Sequence, residues 1–293
     1  MNYEVQEDST VLVALQRIHP QSSITTLRKM LTQGRVQVNE TVVHRAKQTV
    51  TAGDRVRISS RQQAEEHAPQ PKTTPSVDLE VVFEDDAILV VNKPNQLLSV
   101  ATDRLEMDTL HSRCVEHVQL TDERAWCYIV HRLDRDTSGI MVLAKTKEAK
   151  EDLQSQFSER AVHRTYIACV EGHPTPSSGT VRSWLVEDKH LNVKAVNKNH
   201  PNGKEAISHY RVLDSGERNS LVEVLIETGR RHQIRMAMQH LGTPVVGDER
   251  HGANTNPHGR VMLHASSLEF LHPETEDPVR FETPLPRTFS LDG

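Results

Sequence analysis

The sequence predicts an α+β chain: a small N-terminal module of mixed helix and strand, a linker, and a larger second module. Three observations carry that reading. Residues 59–77, SSRQQAEEHAPQPKTTPSV, hold Pro69, Pro71 and Pro75 and scarcely an apolar side chain, so the segment favours extended backbone and offers no core-facing surface. Before it, apolar residues recur first at helical spacing and then at period two. After it, short alternating runs dominate. The resulting bounds are 1–59, a linker over 60–77, and 78–293.

In the N-terminal module, Val11, Leu12, Leu15 and Ile18 form one helical stripe, with Ser9 or Thr10 before it as cap and Pro20 beyond its end. A second helix is expected over Ser23–Gln33, with Ile24, Leu27, Met30 and Leu31 inward and Arg28 and Lys29 outward. Gly34 suits the left-handed residue after it. Val36 and Val38 then alternate with Arg35, Gln37 and Asn39, and Gly53-Asp54 turns into the alternating Arg55-Val56-Arg57-Ile58. This arrangement places Arg28, Lys29, Arg35, Arg55 and Arg57 on surface suited to phosphate contacts, which supply affinity with little base specificity.

In the second module, strands are expected at Val81–Phe83 and Ala87–Val91, around the acidic turn Glu84-Asp85-Asp86. Tyr128-Ile129-Val130 leads into a loop bearing Asp134, and Ile140, Val142 and Ala144 form a buried strand leaving that loop at Gly139. Thr146 caps a helix over Lys147–Arg160, a strand follows at Thr165–Val170, and Gly203 marks a turn. Val222, Val224 and Ile226 give a further strand, ending at GRRHQIR (229–235), which opens a helix to Leu241.

Composition excludes several classes. Apolar runs such as Val11–Leu15 and Ala87–Val91 are five residues long, far short of the ~20 that a spanning helix needs. The opening MNYEVQEDST has no basic region leading into an apolar stretch, so no secretory signal is expected. Three cysteines without a C-x-x-C indicate neither a disulfide scaffold nor a cysteine zinc site, and a cytoplasmic location is expected. Seventeen histidines raise the question of metal, but HGANTNPH fits no tight ligand spacing, and none is expected to hold one. The net charge of −5 hides an asymmetry: residues 25–61 carry +6 and residues 62–130 carry −8. The N-terminal region therefore presents a basic face.

The chemistry gathers around HRLD. Asp134 lies within three residues of His131, Arg132, Arg135 and Asp136, and a carboxylate ionised beside arginine suits nucleophilic or general-base work. Taken alone, such an Asp is more readily read as a surface ion pair, and nothing local shows whether Asp136 converges on it. Lys93, in NKP, is a candidate phosphate contact or a loop support. Arg230 and Arg231 stand at a helix start, where they oppose its dipole and are better understood as phosphate-binding.

Two resemblances extend this reading. SSITTLRKMLTQGRVQVNETVV with the later TVTAGDRVRI resembles the small RNA-binding domain named after ribosomal protein S-four, over residues 8–59. HRLDRDTSGIMVLAK, NKPNQLLSV, RTYIACVEG and TGRRHQIRMAMQHLGTPVVGD together resemble the RluA-type family of RNA pseudouridine synthases, over residues 79–285. The second resemblance implies a mixed, largely antiparallel sheet flanked by helices. It also implies a catalytic Asp134, a Tyr166 packed against the target base, an Arg235 paired with the Asp134 carboxylate, and an Arg132 that contacts RNA where the base has left the stack. Three positions depart from the family pattern: Gln96 stands where Gly is usual, His251 where an aromatic is usual, and Arg164 where RTY replaces Lys-x-Tyr.

The implied reaction cleaves the C1′–N1 bond of a uridine, turns the uracil and joins C5 to C1′, so no redox or group-carrying cofactor is expected. Asp134 would attack C1′ or remove a proton from C2′. The expected partner is structured RNA, ribosomal large-subunit or transfer RNA, with no membrane, no metal and a monomeric chain. The rival classes are a non-catalytic RNA-binding protein of the same fold and a base-releasing RNA glycosidase.

Overall fold

A computed structural model describes residues 2–32, 34–43, 46–59, 78–102, 106–188, 191–289 and 291. The expected linker, 60–77, lies outside the described residues. The chain divides into two compact units, Met1–Val77 with Val100–Ser112, and Asp78–Ser99 with Arg113–Gly293.

The first unit contains β1 (Asn2–Glu4), β2 (Ser9–Thr10), α1 (Val11–Ile18), α2 (Ile24–Thr32), β3 (Val36–Val38), β4 (Thr41–Val42), β5 (Thr49–Val50) and β6 (Arg55–Ile58). Thr10 caps α1 by accepting from the Val13 amide, and the Ser23 hydroxyl accepts from the Thr26 amide at the start of α2, so each helix begins where its polar cap stands. Strands β1-β6-β3-β4 form one antiparallel sheet and β2 pairs with β5. The helical stripes and one strand face share a core of Val11, Leu15, Leu27, Leu31, Val36 and Val56. Because strand side chains alternate, burial of Val56 and Ile58 turns Arg55 and Arg57 to the outer face.

The second unit is built on β7 (Glu80–Glu84), β8 (Ile88–Lys93), β9 (Tyr128–Ile129), β10 (Ser138–Ala144), β11 (His163–Glu171), β12 (Ser178–Glu187), β13 (Val193–Val196), β14 (Lys204–Ser215), β15 (Asn219–Ile226), β16 (Leu263–Leu271) and β17 (Pro278–Glu282). They form one 11-stranded sheet, ordered β13-β12-β14-β15-β11-β16-β10-β8-β7, with β17 on β16 and β9 on β10. Every named pairing in it is antiparallel except β10 with β16, giving the mixed, largely antiparallel architecture expected. All seven residues of β10 are buried, as a central strand covered on both faces requires.

The parallel junction positions the site. Gly139 has φ +117, and a Cβ there would lie 2.2 Å from the Ala265 carbonyl oxygen, so only glycine lets β16 lie this close to the strand that leaves the Asp134 loop. Helix α3 (Leu110–Gln119) buries Cys114, Val115 and Val118. Helix α4 (Lys147–Ser158) is capped by Thr146 and buries Ala149, Leu153 and Gln156. Gln156 ties its end to β16, donating to the Leu271 carbonyl at 2.8 Å and accepting from the Leu271 amide at 2.9 Å. Helix α5 (Gln233–His240) follows β15; His232, before it, takes the left-handed conformation at φ 53.

Candidate active site

The loop between β9 and β10 is pinned from both sides. The Ser99 hydroxyl accepts from the Leu133 amide (3.1 Å) and donates to the Leu133 carbonyl (2.7 Å), and the Thr137 amide closes a turn on the Asp134 carbonyl (3.1 Å). The Lys93 ammonium donates to the carbonyls of Leu97 (2.7 Å), Pro94 (2.9 Å) and Arg135 (3.2 Å). Lys93 is fully buried, and its three donors are taken by backbone. Of the two readings of Lys93, contact with RNA phosphate is therefore corrected, and the geometry fits the other: it supports the loop that carries Asp134. Burial lowers its pKa to about 7, against the opposing charges of Asp136 and Asp134.

Asp134, thus held, lines a cavity of about 890 Å³ together with Arg132, Tyr166, Arg230, Arg231 and Arg235. Five of the expected site positions besides Asp134 meet there. Burial raises the Asp134 carboxyl above its ordinary range, and the positive charges of Arg235, Arg231 and Arg132 oppose that rise. Tyr166, on β11, is buried, and its hydroxyl is also pushed up by burial. No hydrogen bond to that hydroxyl occurs among the described residues, so the ring faces the cavity with its polar end unengaged.

The pairing expected of Arg235 differs. Its guanidinium grips Asp248 with Nε and Nη2, each at 2.6 Å, while Nη1 stands 3.8 Å from Asp136; no ion pair with Asp134 forms within 4.0 Å. Both side chains are buried, Asp248 fully. Arg235 thus reaches Asp134 through space rather than by a direct pair, and the Asp134 carboxyl is raised rather than lowered. A fork-shaped guanidinium in a buried setting takes the carboxylate that matches it bidentately, and Asp248 supplies that geometry. In sequence, Asp248 stands out only as half of the Gly-Asp pair at 247–248, and nothing beside it names its partner.

Further side chains lie in or next to the wall. His131 accepts from the Val142 amide through Nε2 (3.1 Å) and stacks on Phe157 at 4.7 Å between centroids. Burial, with help from Arg164, lowers its pKa to about 3, so it stands neutral and is no proton donor at neutral pH. His251 is buried and joins His232 by an Nε2···Nδ1 hydrogen bond of 2.9 Å beside Arg235. Arg230 and Arg231 precede α5 rather than open it: Arg230 donates to the Glu205 carbonyl (3.0 Å) and Arg231 to Glu187 (2.9 Å).

The expected N-terminal basic residues lie in the first unit. Arg57 is exposed on the outer face of the first unit's sheet, Arg28 is exposed on α2 across the core, and Arg35 donates from Nε to the Ser59 carbonyl at 3.1 Å. Lys29 lies in α2, and its side chain is outside the described set. Among the described residues no cluster of His, Cys, Asp and Glu could hold a metal, and no helix is long and apolar enough to cross a membrane.

A family model described as RNA pseudouridylate synthase matches residues 87–240, and one described as S4 domain matches residues 11–56. The chain is 34% identical over 269 residues to ribosomal large subunit pseudouridine synthase C of Vibrio vulnificus, covering 88% of this chain and 83% of the relative. It is 35% identical over 292 residues to ribosomal large subunit pseudouridine synthase D of Pseudomonas aeruginosa, covering 93% and 87%. Human RNA pseudouridylate synthase domain containing 1 shares the fold with a TM-score of 0.60 and 28% identity, over 75% of this chain and 89% of that one. The Asp134 cavity falls largely within the first matched segment, and the chain belongs to the RNA pseudouridylate synthase family, isomerases of uridine in RNA, with an S4 domain at its N-terminal side.

Proposed function

We propose that the chain converts uridine of ribosomal large-subunit RNA to pseudouridine, with Asp134 acting at the ribose and Tyr166 stacking on the extruded uracil. The observation that carries this reading is the Asp134 carboxylate, which faces a cationic cavity beside Tyr166 without a bidentate partner of its own. A carboxylate free of such a partner is available to attack C1′ or to take the C2′ proton. Arg235, fixed by Asp248, adds a positive charge that favours the ionised form. Flipping the uridine out costs about a few kcal/mol, and stacking on Tyr166 returns about 1–3 kcal/mol.

The large-subunit assignment is supported by the names of the relatives and by the S4 domain, a module suited to structured RNA. Arg132 and Arg230, at the cavity, and the exposed Arg28 and Arg57 would contact phosphates. Mapping pseudouridines by carbodiimide-dependent reverse-transcription stops, with and without this gene, tests the reading. A stop lost from large-subunit RNA is expected; loss confined to transfer RNA would move the substrate. Release of free uracil would favour the glycosidase class.

A further inference from the structure

Arg164, two residues before Tyr166 on β11, lies on the same strand face and lines the same cavity. It is buried, yet no carboxylate stands within ion-pair distance of it among the described residues. Arg235, the other deeply buried guanidinium of the cavity, has Asp248. Burying a cation without a counter-charge is unfavourable, so its retention in a pocket wall marks a ligand of opposite sign.

The guanidinium is held in a defined pose. Nη2 donates to the Glu227 carbonyl at 3.0 Å, and the group lies over the Phe157 ring at 5.5 Å. Gly229 makes the room: a Cβ there would stand 2.8 Å from Arg164 Nη1. Nε is enclosed without a hydrogen-bond partner, whereas Nη1 makes no hydrogen bond to the described residues and is not enclosed, so Nη1 is the unpaired donor that a ligand can reach. The cavity's other charges leave that ligand's sign in no doubt. Its lining carries Arg132, Arg160, Lys204, Arg230, Arg231 and Arg235 besides Arg164, against Asp134, Glu187 and Glu227. Glu187 is engaged by Arg231, and Glu227 by Arg160 and His209.

We propose that Arg164 is the receptor for a phosphate of the extruded nucleotide, fixing the sugar relative to Asp134 while Tyr166 holds the base. The proposal rests on the assignment of this cavity to the target uridine, and its test reads binding alone. A failed Asp134 experiment would therefore not be confused with a failed Arg164 one.

The probes are uridine 5′-monophosphate, uridine 3′-monophosphate, cytidine 5′-monophosphate and uridine, titrated into the full-length protein by calorimetry or ligand-observed NMR. The parent should prefer at least one uridine monophosphate over uridine, and Arg164→Met should reduce that ratio about tenfold, the loss of one charge-assisted hydrogen bond. Arg164→Gln keeps a donor for the Glu227 carbonyl without the charge, and serves if the Met variant does not fold. Gly229→Ala, which crowds Nη1, should weaken the monophosphate in the same direction. A parent with no preference for either monophosphate over uridine overturns the proposal, as does a folded Arg164 variant that keeps the full preference. A change in the uridine-to-cytidine monophosphate ratio with the phosphate preference intact would show that Arg164 reads the base instead, and would equally overturn it.

Discussion

Arg235 and Asp248 form a bidentate ion pair, two 2.6 Å hydrogen bonds between side chains that are almost wholly withdrawn from solvent. Asp248 comes from the turn after Val245-Val246, and Arg235 from the first turn of α5, so the pair locks that helix to that turn. A buried pair is costly to break one-sidedly, because the survivor is left charged and unpartnered. Asp248→Asn should therefore lower stability by about 3–5 kcal/mol and lose activity as Arg235 swings free. Replacing both residues with apolar ones of similar size, Arg235→Met with Asp248→Leu, should restore most of the stability but none of the activity. Chemical denaturation of the parent and both variants, with turnover assays beside it, checks this. A double variant as unstable as the single, or one that turns over, would show that the pair acts otherwise.

Asp134 carries the opposite balance, being catalytic in the proposed mechanism and unfavourable to the fold. Its raised pKa means that the folded state binds a proton more tightly than the unfolded chain does. Ionising it therefore lowers stability at neutral pH, and that penalty is relieved as pH falls through the folded value toward the ordinary 3.8. Asp134→Asn should abolish turnover, a fall of at least about a thousandfold, while melting above the parent at pH 7. The two melting curves should converge on acidification. A mutant within tenfold of parental turnover would remove Asp134 from the chemistry.

The placement of Asp134 is legible in the chain for a local reason, whereas its catalytic role follows only from the family resemblance. HRLD places Asp134 in the loop before a fully buried strand, and alternation at Ile140, Val142 and Ala144 locates that strand without tertiary knowledge. Alternation likewise places Tyr166 on a strand, but its role follows only from the resemblance, and α5 begins at Gln233, after the Arg230 and Arg231 that the sequence puts at its start. Partnerships are not legible in this way. Arg235 has three carboxylates within reach of its part of the fold, and only the folded chain decides that Asp248 receives the fork. The sequence leaves Lys93 open between phosphate contact and loop support because its three acceptors are backbone carbonyls from two separate loops, which no side-chain pattern announces. Strand β12 is hidden for a different reason: only Val181 and Leu185 are buried along it, so it offers little alternation to detect. The sheet architecture follows from family resemblance, since periodicity says nothing about which strands are neighbours.

Gln96 holds a left-handed backbone, φ 63, at a position where the family pattern has glycine. A non-glycine residue there is strained by about 1–2 kcal/mol, partly offset by the extra freedom that glycine confers on the unfolded chain. Gln96 also donates weakly to the Gly259 carbonyl at 3.3 Å, and its own carbonyl accepts from Arg135 Nε at 3.2 Å. Gln96→Gly keeps the second of these hydrogen bonds. It should leave activity unchanged and shift stability by no more than about 1 kcal/mol in the favourable direction. A large loss in thermal unfolding would mean that the side chain matters more than the backbone.

The S4 domain should contribute affinity rather than chemistry. Arg28 and Arg57 are exposed on opposite sides of its core, and Arg35 is half-buried at its edge, so the basic residues do not form a single stripe. Replacing Arg28, Lys29, Arg35 and Arg57 with Ala should weaken RNA binding across sequences and flatten the dependence of log K on log salt, by roughly 0.9 for each phosphate no longer neutralised. Turnover on saturating RNA should stay near parental. If the salt slope is unaltered, the domain engages its partner through other residues.

Lys93 gives the sharpest pH test, because its charge sits in the fold with backbone acceptors only. Burial brings its folded pKa to about 7, from an ordinary 10.5. Below about 7 the ammonium is charged in both states, and the folded protein carries the full desolvation penalty. Between about 7 and 10.5 the folded state releases the proton first, the unfolded chain binds more protons, and stability rises with pH. Lys93→Met lacks this titration, and it leaves the Pro94, Leu97 and Arg135 carbonyls without their donor. The variant should be less stable than the parent at every pH, because unsatisfied buried carbonyls cost about 1–3 kcal/mol each. The gap should widen from about pH 7 to about pH 10, since only the parent gains there. Loss of the tether to Arg135 also frees the loop bearing Asp134, so turnover should fall even where the variant is folded. Melting temperatures of both proteins across that range decide the matter: a gap that stays constant, or narrows toward alkaline pH, would mean that Lys93 keeps an ordinary pKa inside the fold.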